Sequence, residues 1–240
     1  MARKRKTLPK NFGDMLEAAS LDDLKAVFDA CELEATSGYN KDTALHFYRC
    51  PDELARWLVE RGANVNATNH YGRTPLHERS SSWIGGVETL LDLGADIEAR
   101  DRYGDTPLHK AAQSHKSKPA RVLVARGANI HAQNERGLTP LGLTLQTARN
   151  IDIVETAAIA ELLLAAGDPI NDAMRKAVER IGHDFEWSRD GFNPEYLEAT
   201  DAGLTTLYRL FEVAPAPCRQ LHDGQSPITT SVRRDWPALA

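Results

Sequence analysis

Apolar residues along this chain gather in short pairs set between polar, glycine-bearing stretches. Leu90-Leu91, Leu123-Val124 and Leu162-Leu163-Leu164 each follow a shorter apolar run centred on Leu76, Leu108 and Leu141. This pattern predicts two short helices per unit. Thr74, Thr106 and Thr139 are suited to open the first helix, because a threonine hydroxyl accepts from an otherwise unpaired amide of the first turn. Pro75, Pro107 and Pro140 then occupy the first helical position, where a missing N–H costs nothing. Gly62, Gly94, Gly127 and Gly167 fall just past the second helix, where a left-handed residue closes it. A tight turn follows at Asn69-His70-Tyr71-Gly72, Asp101-Arg102-Tyr103-Gly104 and Asn134-Glu135-Arg136-Gly137, opened by Asn or Asp and closed by Gly. Each unit thus reads as helix, helix, and a projecting hairpin.

Two phrases keep step along the chain. Thr43-Ala44-Leu45-His46 recurs as Thr74-Pro75-Leu76-His77, Thr106-Pro107-Leu108-His109 and Thr139-Pro140-Leu141-Gly142, at steps of 31, 32 and 33 residues. Gly62-Ala63-Asn64-Val65-Asn66-Ala67 recurs at Gly94 and Gly127, and more weakly at Gly167. The coupled phrases and their period resemble ankyrin repeats. The resemblance implies an all-α fold: a solenoid of stacked helix–turn–helix units with hairpin loops, here followed by a C-terminal helical extension. One unit alone cannot bury its apolar face, and stacking supplies the missing core. Leu45, Leu76, Leu108 and Leu141 are therefore expected to line up as a continuous apolar spine. The expected organisation is a basic N-terminal tail over 1–10, a degenerate capping repeat over 11–40, and repeats over 41–172 (41–72, 73–104, 105–137 and 138–172). A helical extension with an irregular end follows over 173–240.

The capping repeat rests on a short helix from Phe12 to Ala19 and a second from Ser20, with Leu24, Val27 and Phe28 as its stripe. Tyr39 matches Tyr71 and Tyr103, which leaves Asn40 in the position of Gly72 and Gly104. Asn tolerates left-handed geometry better than other non-glycine residues. Two places break the pattern. Glu78-Arg79-Ser80 stands where small apolar residues are expected, followed by Ser81-Ser82-Trp83-Ile84-Gly85-Gly86, with the two glycines reading as a helix–helix turn. The last repeat has 28 residues between Thr139 and Gly167 against 21 between Thr106 and Gly127, so extra helical turns or a loop near Thr147–Ile153 must fit there. Beyond Asn171, Met174, Ala177, Val178 and Ile181 fit the first helix of one more worn repeat. A second helix start at Asn193-Pro194-Glu195 carries Leu197, Leu204, Leu207, Tyr208 and Phe211. Asp223-Gly224, Pro227 and Asp235-Trp236-Pro237 show no clear period.

Composition narrows the class. The chain has 240 residues, enough for one elongated solenoid. Its longest apolar stretch, Ala157 to Ala166, contains Glu161 and is far too short to span a bilayer. The N-terminus has no apolar segment of a secretory signal. Cys31, Cys50 and Cys218 are too far apart for a disulfide framework or zinc site. A cytoplasmic monomer is expected, with no membrane contact. Net charge is −5, yet Arg3, Lys4, Arg5, Lys6 and Lys10 crowd the first ten residues and leave −10 on the rest. An acidic body argues against nucleic acid as partner. The basic tail reads first as a disordered solubilising segment, with a localisation signal or an anionic contact as the other readings.

No nucleophile elbow, phosphate-binding loop or dinucleotide fingerprint is present, and no catalytic residue, metal site or cofactor is expected. His183-Asp184-Phe185-Glu186 lacks the spacing of a zinc helix. The resemblance makes His46, His77 and His109 structural, each bonding neighbouring backbone and its capping threonine as a neutral ring with one donor and one acceptor. It also implies binding through hairpin tips and the concave face of the first helices. Matched by position, the tips carry His70, Tyr71 and Arg73; Arg102, Tyr103 and Asp105; and Glu135, Arg136 and Leu138. Tyr and Arg are frequent hot-spot residues. Tyr39, Tyr71 and Tyr103 either form an aromatic row for a partner or stack the hairpins on one another. Trp83 is a further anchor, or else a cover for the neighbouring core. The function expected is a non-enzymatic scaffold binding a protein partner of unspecified identity. The alternative is an effector or enzyme-linked protein whose active segment is 173–240.

Overall fold

The computed structural model describes residues 3–217; Cys218, Asp223-Gly224, Pro227 and Asp235-Trp236-Pro237 lie outside them. The chain opens with β1 (Arg5–Thr7), α1 (Phe12–Ala18), α2 (Leu21–Ala30), β2 (Cys31–Ser37) and β3 (Asp42–Thr43). Ser20 caps α2 by accepting from the Asp23 amide at 3.2 Å. After a single 3-10 turn over Ala44–His46, the helices run α3 (Asp52–Glu60), α4 (Pro75–Ser80), α5 (Val87–Asp92), α6 (Pro107–Gln113) and α7 (Ser117–Ala125). The last are α8 (Pro140–Thr147), α9 (Ile153–Ala165), α10 (Asp172–Ser188) and α11 (Pro194–Phe211). Thr74, Thr106 and Thr139 sit in extended geometry ahead of α4, α6 and α8, with proline at the first helical position. Gly62, Gly94, Gly127 and Gly167 follow α3, α5, α7 and α9 with φ of 87–99°, the geometry that a side chain would strain.

The helices form two layers. One stacks α4 on α6, α6 on α8 and α8 on α10; the other stacks α3 on α5, α5 on α7, α7 on α9 and α9 on α11. The pair α10–α11 thus continues the stack beyond the fourth unit. The longer fourth unit takes up its extra residues in both ways expected: a 3-10 turn over Asn150–Asp152, and an α9 of 13 residues where α7 has 9.

Three features depart from the sequence pattern. First, the basic N-terminus is structured rather than a free tail. β1 runs parallel to β2, which pairs antiparallel with β3. Leu8 is buried beside Phe12, and Lys4 Nζ donates to the Phe28 carbonyl at 2.6 Å. A cation there neutralises the exposed carbonyls of the last turn of α2. Second, Asn40 is not the left-handed residue of the first hairpin. That conformation belongs to Lys41, with φ of 58°. The register slips by one, so Tyr39 corresponds to His70 and Asn40 to Tyr71, as the hydrogen bond from His70 N to Asn40 O confirms.

Third, the apolar spine divides after its first leucine into two clusters, bridged by the partly buried Val59 and Leu93. Leu76, Leu108 and Leu141 share one core with Phe185 and Phe211, whereas Leu45 belongs to a second core with Phe12, Phe28, Leu54 and Leu58. Arg79 lies close to this break, fully buried, its Nε donating to Leu45 O at 3.0 Å. The cause is local. The first unit has only one turn at 44–46 where later units have a helix, so the Leu45 carbonyl loses its intrahelical donor and Arg79 replaces it. The two terminal nitrogens of Arg79 find no hydrogen-bond acceptor; Asp52 Oδ1 stands 3.7 Å from Nη1. Burying a guanidinium so sparsely paired is costly. Gly85 is required beside it, because a Cβ there would collide with the Arg79 backbone, while one on Gly86 would meet the Asp52 carboxylate.

Candidate partner-binding edge

Each hairpin is built around one buried side chain. Asn69 Oδ1 accepts from the amides of Tyr71 and Arg73 at 2.9 and 3.1 Å. Asp101 Oδ1 does the same for Tyr103 and Asp105, and Asn134 Oδ1 for Arg136 and Leu138. Backbone then joins each tip to the next. His70 N donates to Asn40 O, Arg102 N to Tyr71 O and Glu135 N to Tyr103 O, at 2.7–3.0 Å. Side chains add cross-links: Asn69 Nδ2 to Asp42 Oδ1, Arg73 Nε to Asp101 Oδ2, and Asn134 Nδ2 to Asp105 Oδ1.

The histidines tie this ladder to the helices. In His46, His77 and His109, Nδ1 accepts from the amide and hydroxyl of the threonine three residues earlier, at 2.9–3.2 Å. Nε2–H donates at 3.0 Å to the carbonyls of Arg73, Asp105 and Leu138, each in the following hairpin. An amide can only donate and a carbonyl only accept, so the tautomer is settled by its partners. Burial lowers the pKa of all three below 6.5 and keeps them neutral. A fourth histidine, unremarked in the sequence, acts similarly. His115, in left-handed geometry after α6, contacts the hydroxyls of Thr147 and Thr156, and burial lowers its pKa too.

The site residues proposed from the sequence fall into three groups. His70, Tyr71, Arg73, Arg102, Tyr103, Glu135 and Arg136 come together along the hairpin edge. Arg102, Glu135 and Arg136 are exposed, and Tyr103 keeps 54% of its surface in solvent. Tyr39, His70 and Tyr71 are in ring contact at 5.4 and 5.7 Å, and the Arg73 guanidinium sits 5.3 Å from the Tyr71 ring. The Tyr39–His70 contact joins two hairpins, out of register, whereas His70, Tyr71 and Arg73 pack together within one. Asp105 must be withdrawn from the contact set: it is 5% exposed and its carboxylate is occupied by Asn134. Trp83 is not part of the edge. It follows α4 at the end away from the tip, half-exposed beside Ile84, with Lys116 Nζ 4.6 Å from its ring.

Along the layer of first helices, a cleft of about 360 Å³ opens between the fourth unit and α10. Its walls include Leu138, Leu145, Gln146, Met174, Lys176 and Arg180. Sequence reasoning missed it, although Gly142 in the slot of His77 and His109 was a visible signal.

Among the described residues no group of His, Cys, Asp and Glu side chains converges as a metal site, and no helix is long and apolar enough to cross a membrane. Comparison with known families agrees with the geometry. Residues 42–78 and residues 90–143 match two family models, each described as ankyrin repeats in many copies. No curated protein matches the chain.

Proposed function

Because this chain is an ankyrin-repeat protein, we propose that it is a non-enzymatic scaffold that binds a protein partner along its hairpin edge and concave face. Ankyrin repeats are in general protein–protein interaction modules. The observation that carries the reading is the contrast between the backbone and the side chains of the tips. The amides of each tip are engaged by Asn69, Asp101 or Asn134 and by the preceding hairpin, while Arg102, Tyr103, Glu135 and Arg136 are exposed to solvent. A rigid edge with exposed aromatic and cationic side chains loses little conformational entropy on association. The described part of the C-terminal segment supports the same reading, since α10 and α11 spend Phe185, Leu207 and Phe211 on the core. We take the protein to act as a monomer inside the cell.

The test is recovery of partners on the intact chain compared with a Tyr71→Ala/Tyr103→Ala variant of unchanged thermal melting. A drop of about tenfold or more is expected if these tyrosines are hot spots. Equal recovery would remove the hairpin edge from the proposal.

A further inference from the structure

We propose that the cleft between the fourth unit and α10 receives an extended, acidic segment of the partner, which adds a further rung to the hairpin ladder. The inference rests on the scaffold reading above and names the chemistry of what is bound. Three independent features lead to it.

The first is a missing hairpin. Between Gly127 and Thr139 the chain makes a complete tip, but between Gly167 and Asn171 it passes directly into α10, which Asn171 caps through the Met174 amide at 2.9 Å. The ladder acceptors are Asn40 O, Tyr71 O and Tyr103 O, and by the repeat spacing the next is Arg136 O. Among the described residues no following hairpin supplies an amide to it. An extended segment laid there can donate its own N–H, as a strand added to an open edge does.

The second is shape. Gly142 stands where His77 and His109 fill the previous two units, and Leu138, Leu145 and Met174 floor the space beyond it. A Cβ on Gly142 would meet only ordinary contacts, at 3.6–3.9 Å. The cleft of about 360 Å³ suits an aliphatic side chain of the segment.

The third is charge. In a protein of net charge −5, the charged residues lining this cleft are Lys176 and Arg180, with no carboxylate among them. Arg180 is held in place, donating to Leu145 O at 2.9 Å and to Asp184 at 3.0 Å. Arg136 reaches Gln146 Oε1 at 2.5 Å on the same side. Lys176 is exposed and has its ammonium available for a carboxylate.

The experiment is selection of random linear decapeptides by display on the full chain, followed by fluorescence anisotropy with the recovered peptides. Enrichment of Asp and Glu around an aliphatic residue is expected. Binding should weaken about tenfold or more in Lys176→Glu, and likewise in Gly142→Leu, which fills the cleft on a helix that favours leucine over glycine. Both variants should melt no lower than the parent. Peptides without acidic enrichment, or acidic peptides that bind both variants as they bind the parent, overturn the inference. The tyrosine variant separates the two claims: unchanged partner recovery there counts against the tips, whereas indifference to Lys176→Glu and Gly142→Leu counts against the cleft.

Discussion

His77 shows how one residue can join two repeats. Its ring takes the place of the glutamate in a capping box, accepting the Thr74 amide, and its other nitrogen reaches a carbonyl 28 residues further on. Protonation would turn the acceptor into a second donor facing an N–H. Because burial lowers the folded pKa of His46, His77, His109 and His115 below 6.5, the unfolded chain binds more protons as pH falls past that value. Stability should therefore be full above pH 6.5 and decline below it until the folded pKa values are reached. Urea titrations at pH 7.5 and 5.5 should show a lower midpoint at 5.5, before most carboxylates titrate. An unchanged midpoint would mean that the rings are hydrated. The structural role of these histidines was legible from the resemblance; that of His115 was not. Its partners Thr147 and Thr156 lie 32 and 41 residues away in a segment without a repeat phrase.

At the scale of helices, the third unit is the most regular and gives the clearest energetic expectation. Leu108 on α6 is fully buried in a core shared with α4 and α8. Leu108→Ala should cost roughly 2–5 kcal/mol by denaturant titration; a loss well under about 1 kcal/mol is what a surface position would give. Helix starts and ends here were readable because Thr, Pro and Gly carry their own conformational preferences. Elements set by tertiary context were not. Arg3 to Lys6 has the composition of a solvated tail, yet Arg5–Thr7 forms a strand because β2 offers a parallel edge and Leu8 has a pocket. Arg79 breaks the apolar pattern of α4, and only the shortened first unit explains why a buried cation is needed. At the candidate edge, the tip residues were legible from their spacing. The burial of Asp105 was hidden, since its partner Asn134 is a neighbour only after stacking. The cleft beside α10 depends on a hairpin missing between Gly167 and Asn171, which a search for repeated phrases does not register.

Across the described residues, α10 and α11 cover the far face of the fourth unit. Ile153 lies under Gly203 of α11, where a Cβ would meet its Cγ2 at 3.2 Å, and Leu163 shares the same core. Ending the chain at Ile170 should expose the faces of α8 and α9. It should destabilise the fourth unit by on the order of 5 kcal/mol, seen as early loss of amide protection in both helices. Protection equal to that of the full chain would show that the pair is dispensable. At the opposite end, the divided spine has a mechanical consequence. Residues up to about Ala63 form one apolar cluster and those from Val65 onward another, with Val59 and Leu93 packed against both and Arg79 close to the joint. Such a protein has a seam where a uniform rod would have none, and its amino-terminal cluster is expected to be the first part that heat or force peels away.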